Sequence, residues 1–207
     1  MLINRYDDKA DVIEGGADVP PKPANYVKGQ TVTYSFGPIP GYLYDKGVYE
    51  EAEECFAQWS AVTGITFVRR ERAHDAGVAA GGEEKKTDED KADIAIDWVY
   101  DSSAHSDFEF DGVGGTLANS DKHSIRFDGA ERWELLGAGP VKVGHFALLP
   151  VLLHEIGHCL GLGHAHNDSK SVMAPYYDEN KTALHVLDKA AWNRSVAYAE
   201  ALVKDKV

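Results

Sequence analysis

Cysteine is scarce in this chain: only Cys55 and Cys159 occur in 207 residues. Two cysteines cannot build the disulfide framework of a stapled fold. They can pair if the helices that hold them pack together, or stay as two free buried thiols. The sequence leaves both open, and with them the redox compartment. Positive charge is also short. The chain has 21 Lys and Arg against 34 Asp and Glu, a formal net charge of −13. That excess argues against nucleic acid and anionic membrane as partners. It suits cation binding, cationic substrates or a plainly solvated acidic surface. No apolar run reaches the roughly 20 residues of a membrane span. The opening stretch MLINRYDDKADVIEGG has neither the basic nor the apolar region of a signal peptide. No internal repeat is present.

What remains is the composition of a globular domain, 43% hydrophobic and 27% charged. Its length allows a core without staples. Residues 1–29 are acidic and broken by Pro20, Pro21 and Pro23, and read as an irregular arm or pro-segment outside the core. Residues 30–207 read as one domain. TVTYSF (31–36), ITFVRR (65–70), DIAIDW (93–98) and SIRF (124–127) have strand character, and TLAN (116–119) is a short extended piece. Ala52, Cys55, Phe56, Trp59 and Val62 recur at helical spacing within 48–64, which Gly64 ends. Residues 71–92 are polar, charged and glycine-containing, and read as a surface insertion. The apolar run 145–163 predicts a buried helix with Pro150 near its first turn, and 183–203 an amphipathic one. This order implies an α+β domain with a mixed sheet.

Residues 154–164 read HEIGHCLGLGH. Residues four apart share a helix face, so His154 and His158 can hold one metal ion. Glu155 can then reach a water beside the metal without binding the metal. A hydrolytic zinc site takes three protein ligands and one open position. His164 can be the third, provided the chain turns back after the helix. Gly161 and Gly163 permit that turn because glycine adopts positive φ without steric cost. The expected chemistry is peptide-bond hydrolysis by a metal-activated water, with Glu155 as general base.

HEIGHCLGLGH, followed nine residues later by Met173 in SVMAPYY, resembles the metzincin zinc endopeptidases with their Met-turn. The short gap from His164 to Met173 is similar to matrixins, whereas serralysins have a longer one. Ala165 stands where astacins have Glu and adamalysins Asp. The resemblance covers roughly residues 30–200. It implies a twisted mixed five-stranded sheet with two helices, a zinc cleft, and a small C-terminal lobe with the Met-turn and one helix. Met173 is then the apolar floor beneath the metal, and Pro175 and Tyr177 wall the S1′ pocket. Leu117 and Ala118 lie on the edge strand that pairs with an extended substrate. FDGVGGTLA resembles the matrixin calcium loop, which implies oxygen ligands from Asp111, Gly112, Gly114 and Thr116, with Asp128 and Glu131 returning carboxylates.

Departures from the matrixin pattern are clear. His105 and Asp107 match two ligands of the family's second, structural zinc, but Asn119 and Arg126 hold the other two positions. Arginine repels a dication, so a second zinc is not expected, though His123 lies near. His74 and His166 read as surface residues. The cysteine-switch motif is absent, and Asp7 or Asp8 is the carboxylate that could cap the metal in a latent form. The implied partners are protein or peptide substrates met by a monomer. The implied location is extracellular, where calcium is abundant. The alternatives are a serralysin-like protease of broad specificity and a catalytically inactive binding protein that keeps the metzincin scaffold.

Overall fold

A computed structural model describes residues 22–71, 91–100 and 110–204. Asp7, Asp8, His74, His105, Asp107 and all but the ends of the expected 71–92 insertion lie outside the described residues. The chain runs through β1 (Thr31–Phe36), α1 (Asp45–Thr63), β2 (Thr66–Arg69), β3 (Ile94–Val99), β4 (Ala118–Asp121) and β5 (Ser124–Asp128). It continues through β6 (Trp133–Glu134), β7 (Phe146–Ala147), α2 (Leu148–Cys159) and α3 (Val186–Lys204). Five strands form one sheet in the order β2-β1-β3-β5-β4. All neighbours are parallel except β4, which runs antiparallel to β5 at one edge, with Asn119 opposite Arg126 and Ser120 opposite Ile125. This is the expected α+β fold with its mixed five-stranded sheet.

Periodicity accounts for the layers. On β3, Ile94, Ile96 and Trp98 point inward in strict alternation. On α1, Val48, Ala52, Cys55, Phe56, Trp59 and Thr63 make one buried face. That face meets α2, every residue of which is buried. The Trp59 indole N–H donates to the Leu153 carbonyl at 2.9 Å, so a large ring enters the core with its one polar atom satisfied. Gly64 ends α1 at φ 70°. Pro150 occupies the first turn of α2, where its missing N–H breaks no helical bond. Both thiols are free and buried. Burial pushes their pKa values well above the ordinary range, which makes them inert packing groups.

Three expectations need correction. The apolar helix does not begin at 145: Phe146 and Ala147 instead pair in parallel with Trp133 and Glu134 as a two-stranded ribbon. A ribbon this short carries no readable alternation. The helix also ends at Cys159, before 163. Finally, the end of the arm is not peripheral. Tyr26 is only 3% exposed and joins the core, its hydroxyl donating to the Lys122 carbonyl. The Asn25 amide groups donate to the carbonyls of Cys159 and Leu160 at the end of α2. Among the described residues, no helix is long and apolar enough to cross a membrane.

Candidate metal centre and active site

His154 and His158 sit one turn apart on α2. The helix then closes in a Schellman arrangement. The Leu162 N–H donates to the Gly157 carbonyl at 2.9 Å and the Gly161 N–H to the His158 carbonyl at 2.8 Å. Gly161 takes φ 102° there, and a Cβ on it would lie 2.6 Å from the Pro23 carbonyl oxygen. Gly163 is not at positive φ, so one glycine makes the turn that two were expected to share. The returning chain is held by the Ala165 N–H on the Met173 carbonyl at 2.8 Å.

The turn brings three imidazoles together. The Nε2 atoms lie 3.0 Å apart for His154 and His158, 3.3 Å for His154 and His164, and 3.2 Å for His158 and His164. A tetrahedral zinc with bonds of about 2.05 Å sets its ligand nitrogens about 3.3 Å apart. The cluster therefore fits zinc, and it is the one such group of His, Cys, Asp and Glu among the described residues. Protonation agrees. His154 Nδ1 meets the Val172 carbonyl at 2.6 Å, and His158 Nδ1 meets the Leu162 carbonyl at 2.7 Å. A carbonyl only accepts, so each Nδ1 carries the proton and each Nε2 presents its lone pair. Burial, reinforced by His158 and His164, pushes the His154 pKa well below its ordinary value and keeps the ring neutral.

Met173 is 1% exposed and packs against α2 at Gly157. It explains a residue that the sequence reading passed over. A Cβ on Gly157 would fall 2.3 Å from Met173 Sδ and 3.1 Å from the Trp59 ring. Asp188 was also missed. It is fully buried at the start of α3 and accepts from the Ser171 hydroxyl, the Val172 N–H at 3.3 Å and the His185 N–H at 2.7 Å. An acid at the third helical position that reaches back to the cap amide is a recognisable helix-start signal. Its second task, tying the Met-turn, depends on tertiary contact. Val172, so held, presents the carbonyl that orients His154.

Glu155 is completely buried, and its Oε2 accepts from the Ser120 hydroxyl on β4 at 2.5 Å. Ser120 was not singled out from the sequence. Leu117 and Ala118 are buried side chains, and the Leu117 carbonyl accepts the Asp128 N–H at 2.9 Å. Pro175 is half-buried beside exposed Tyr176. The Tyr177 hydroxyl oxygen accepts the Ala147 N–H at 2.9 Å, and its ring packs edge-on against Phe146.

The acidic loop also assembles. Gly112, Gly114 and Gly115 all take positive φ. The Thr116 N–H donates to Asp111 at 3.0 Å, the Gly114 N–H to Glu131 at 2.5 Å, and the Gly112 N–H to Asp128. Amide hydrogens of the loop thus meet the carboxylates. Asp128 and Glu131 are buried, and Asp128 Oδ2 and Glu131 Oε2 have no hydrogen-bond partner. Desolvation raises both pKa values; repulsion by Asp111 raises both further, and Asp128 also raises that of Glu131. At the position expected to lack a second zinc, the Arg126 guanidinium bridges Asn119 at 3.2 Å and Asp121 at 3.0 Å. His123 instead meets the Asp93 carbonyl, and His166 is exposed.

The matrixin family model matches residues 25–194. Among relatives, matrix metalloproteinase-16 of Homo sapiens is 32% identical over 161 residues, covering 73% of this chain and 23% of its own length. Hatching enzyme of Paracentrotus lividus is 34% identical over 158 residues, covering 72% and 22%. Karilysin of Tannerella forsythia is 29% identical over 171 residues, covering 73% and 34%. The chain thus spans about a quarter to a third of the length of these relatives. With the family model covering most of its length and three imidazoles converging as a zinc site requires, the chain belongs to the matrixin family.

Proposed function

We propose that this chain is a zinc-dependent endopeptidase that hydrolyses peptide bonds in extended protein substrates. The observation that carries the reading is the convergence of three imidazole nitrogens within 3.3 Å, beside a buried carboxylate. His154, His158 and His164 would hold the metal. Zinc, when bound, supplies Lewis-acid chemistry, acidifying the attacking water and polarising the scissile carbonyl. Glu155 takes the water's proton and delivers it to the leaving amine. The Val172 and Leu162 carbonyls keep the ligand rings oriented as water and substrate charge develop. Substrate pairs its backbone along the β4 edge in β-augmentation. The residue after the cut enters beside Pro175 and Tyr177, where aromatic and proline surface favours an apolar side chain.

Asp111, Asp128 and Glu131 are assigned to a structural calcium, because two buried carboxylate oxygens without partners need a cation. That requirement supports secretion into a calcium-rich, extracellular setting. Residues 1–29 are read as an arm or pro-segment whose end, with Asn25 and Tyr26, is built into the catalytic domain, and Lys22 and Pro23 border the cleft that also exposes His158.

Cleavage of a quenched fluorescent peptide tests the central claim. Wild type should turn over, zinc chelation should abolish turnover, and Glu155→Ala should lose most of it with zinc still bound. Equal turnover in Glu155→Ala and wild type would refute the enzyme reading.

A further inference from the structure

We infer that Ser120 is a positioning residue for Glu155, an edge-strand hydroxyl that fixes the plane of the base carboxylate. The inference rests on reading Glu155 as the proton acceptor. Ser120 lies on β4 and borders the same cleft as His158. Its hydroxyl reaches α2 twice, at 2.5 Å to Glu155 Oε2 and at 3.2 Å to the Glu155 carbonyl. A hydroxyl has one proton, and the closer carboxylate oxygen, at 2.5 Å against 3.2 Å, takes it.

The strand is held so that this contact is specific. Side chains alternate along β4. Asn119 and Asp121 turn to one face, where the Arg126 fork on β5 grips both, at 3.2 Å and 3.0 Å. Ser120, between them, is thereby turned to the other face, toward α2. Slippage by one residue would put Asn119 or Asp121 against Glu155, and Asp121 there would place like charges in contact. A carboxylate fixed through one oxygen presents its second oxygen in a set direction. Proton transfer depends steeply on that direction, whereas substrate affinity does not. Ser120 keeps its own proton throughout.

The test uses wild type, Ser120→Ala and Ser120→Thr, all zinc-loaded, with the peptide substrate. Ser120→Ala should lower kcat roughly ten- to a hundredfold, the usual scale for one hydrogen bond to a carboxylate, and leave KM within about twofold. Zinc stoichiometry should not change. Ser120→Thr keeps the hydroxyl on a strand that favours β-branching and should restore kcat. A second readout needs no turnover. The Glu155 side-chain carboxyl carbon, labelled with 13C, should shift in Ser120→Ala and stay near wild type in Ser120→Thr. The inference is overturned by wild-type kcat in Ser120→Ala, by a threonine variant as slow as alanine, or by an unmoved carboxyl resonance. Failure of the wild type to cleave peptide would sink the peptidase reading instead, and the resonance would still decide on Ser120.

Discussion

Gly157 sits in the middle of α2, and alanine there sets two effects against each other. On an exposed helix, Gly→Ala gains about 1 kcal/mol because alanine loses less backbone entropy. Here the new Cβ would lie 2.3 Å from Met173 Sδ. An ordinary contact is about 3.6 Å, so the sulfur must retreat by roughly 1.3 Å. Met173 is 1% exposed and Trp59 fully buried, so neither has solvent to move into. Overpacking of this kind costs about 1–3 kcal/mol, and a clash this close falls at the upper end. The net expectation for Gly157→Ala is a loss of about 2 kcal/mol, near 4–8 °C in Tm for a chain of this size. The displaced Met173 also drags Val172, whose carbonyl orients His154 at 2.6 Å. Zinc affinity should therefore fall by about tenfold or more. Thermal unfolding of the metal-free protein and competition against a chelating dye read the two effects separately. A Gly157→Ala protein as stable as wild type, with unchanged zinc affinity, would show that the Met-turn does not press on this helix.

Three further outcomes are expected. Asp188→Ala leaves the Ser171, Val172 and His185 donors without their acceptor. It should cost about 3 kcal/mol or more, with a parallel drop in zinc affinity; a wild-type melt would sink the tie between α3 and the Met-turn. Glu51 is buried on α1, its Oε1 accepting the Leu136 N–H at 2.5 Å, and burial raises its pKa from 4.5 to about 7. The folded state therefore holds a proton that the unfolded state has released. Its contribution is full below pH 4.5 and is lost as pH rises through about 7, near 3 kcal/mol in all. Glu51→Gln should flatten urea-melt stability between about pH 5 and 8 by that order; an unaltered slope would contradict the assignment. Calcium should raise Tm in proportion to the logarithm of its concentration. Glu131→Gln should stabilise the calcium-free protein and blunt that response, and calorimetry showing no calcium effect on wild type would remove the site.

Much of the site is legible in HEIGHCLGLGH because its logic is local. Helical repeat places His154 and His158 on one face, and glycine's freedom at Gly161 turns the chain back to His164. Strand and helix identities follow for the same reason: the alternation of Ile94, Ile96 and Trp98 and the 3.6-residue rhythm of Ala52, Cys55, Phe56 and Trp59 are properties of short segments. The errors fall where local signal is weak. Phe146–Ala147 is a strand only because Trp133 and Glu134 lie beside it, and the apolar run into α2 hides the boundary.

Residue type and spacing by themselves determined the fold class and the three-histidine cluster that fits zinc, since each needs only chemistry and period within a few turns of chain. Tertiary structure alone decided what surrounds them. Only packing sets Gly157 against Met173, Asp188 beneath the Met-turn, Tyr26 in the core and the Ser120 hydroxyl on Glu155. Those contacts join residues 16 to 96 positions apart. No local preference encodes such pairs, because their energies exist only once the layers have closed.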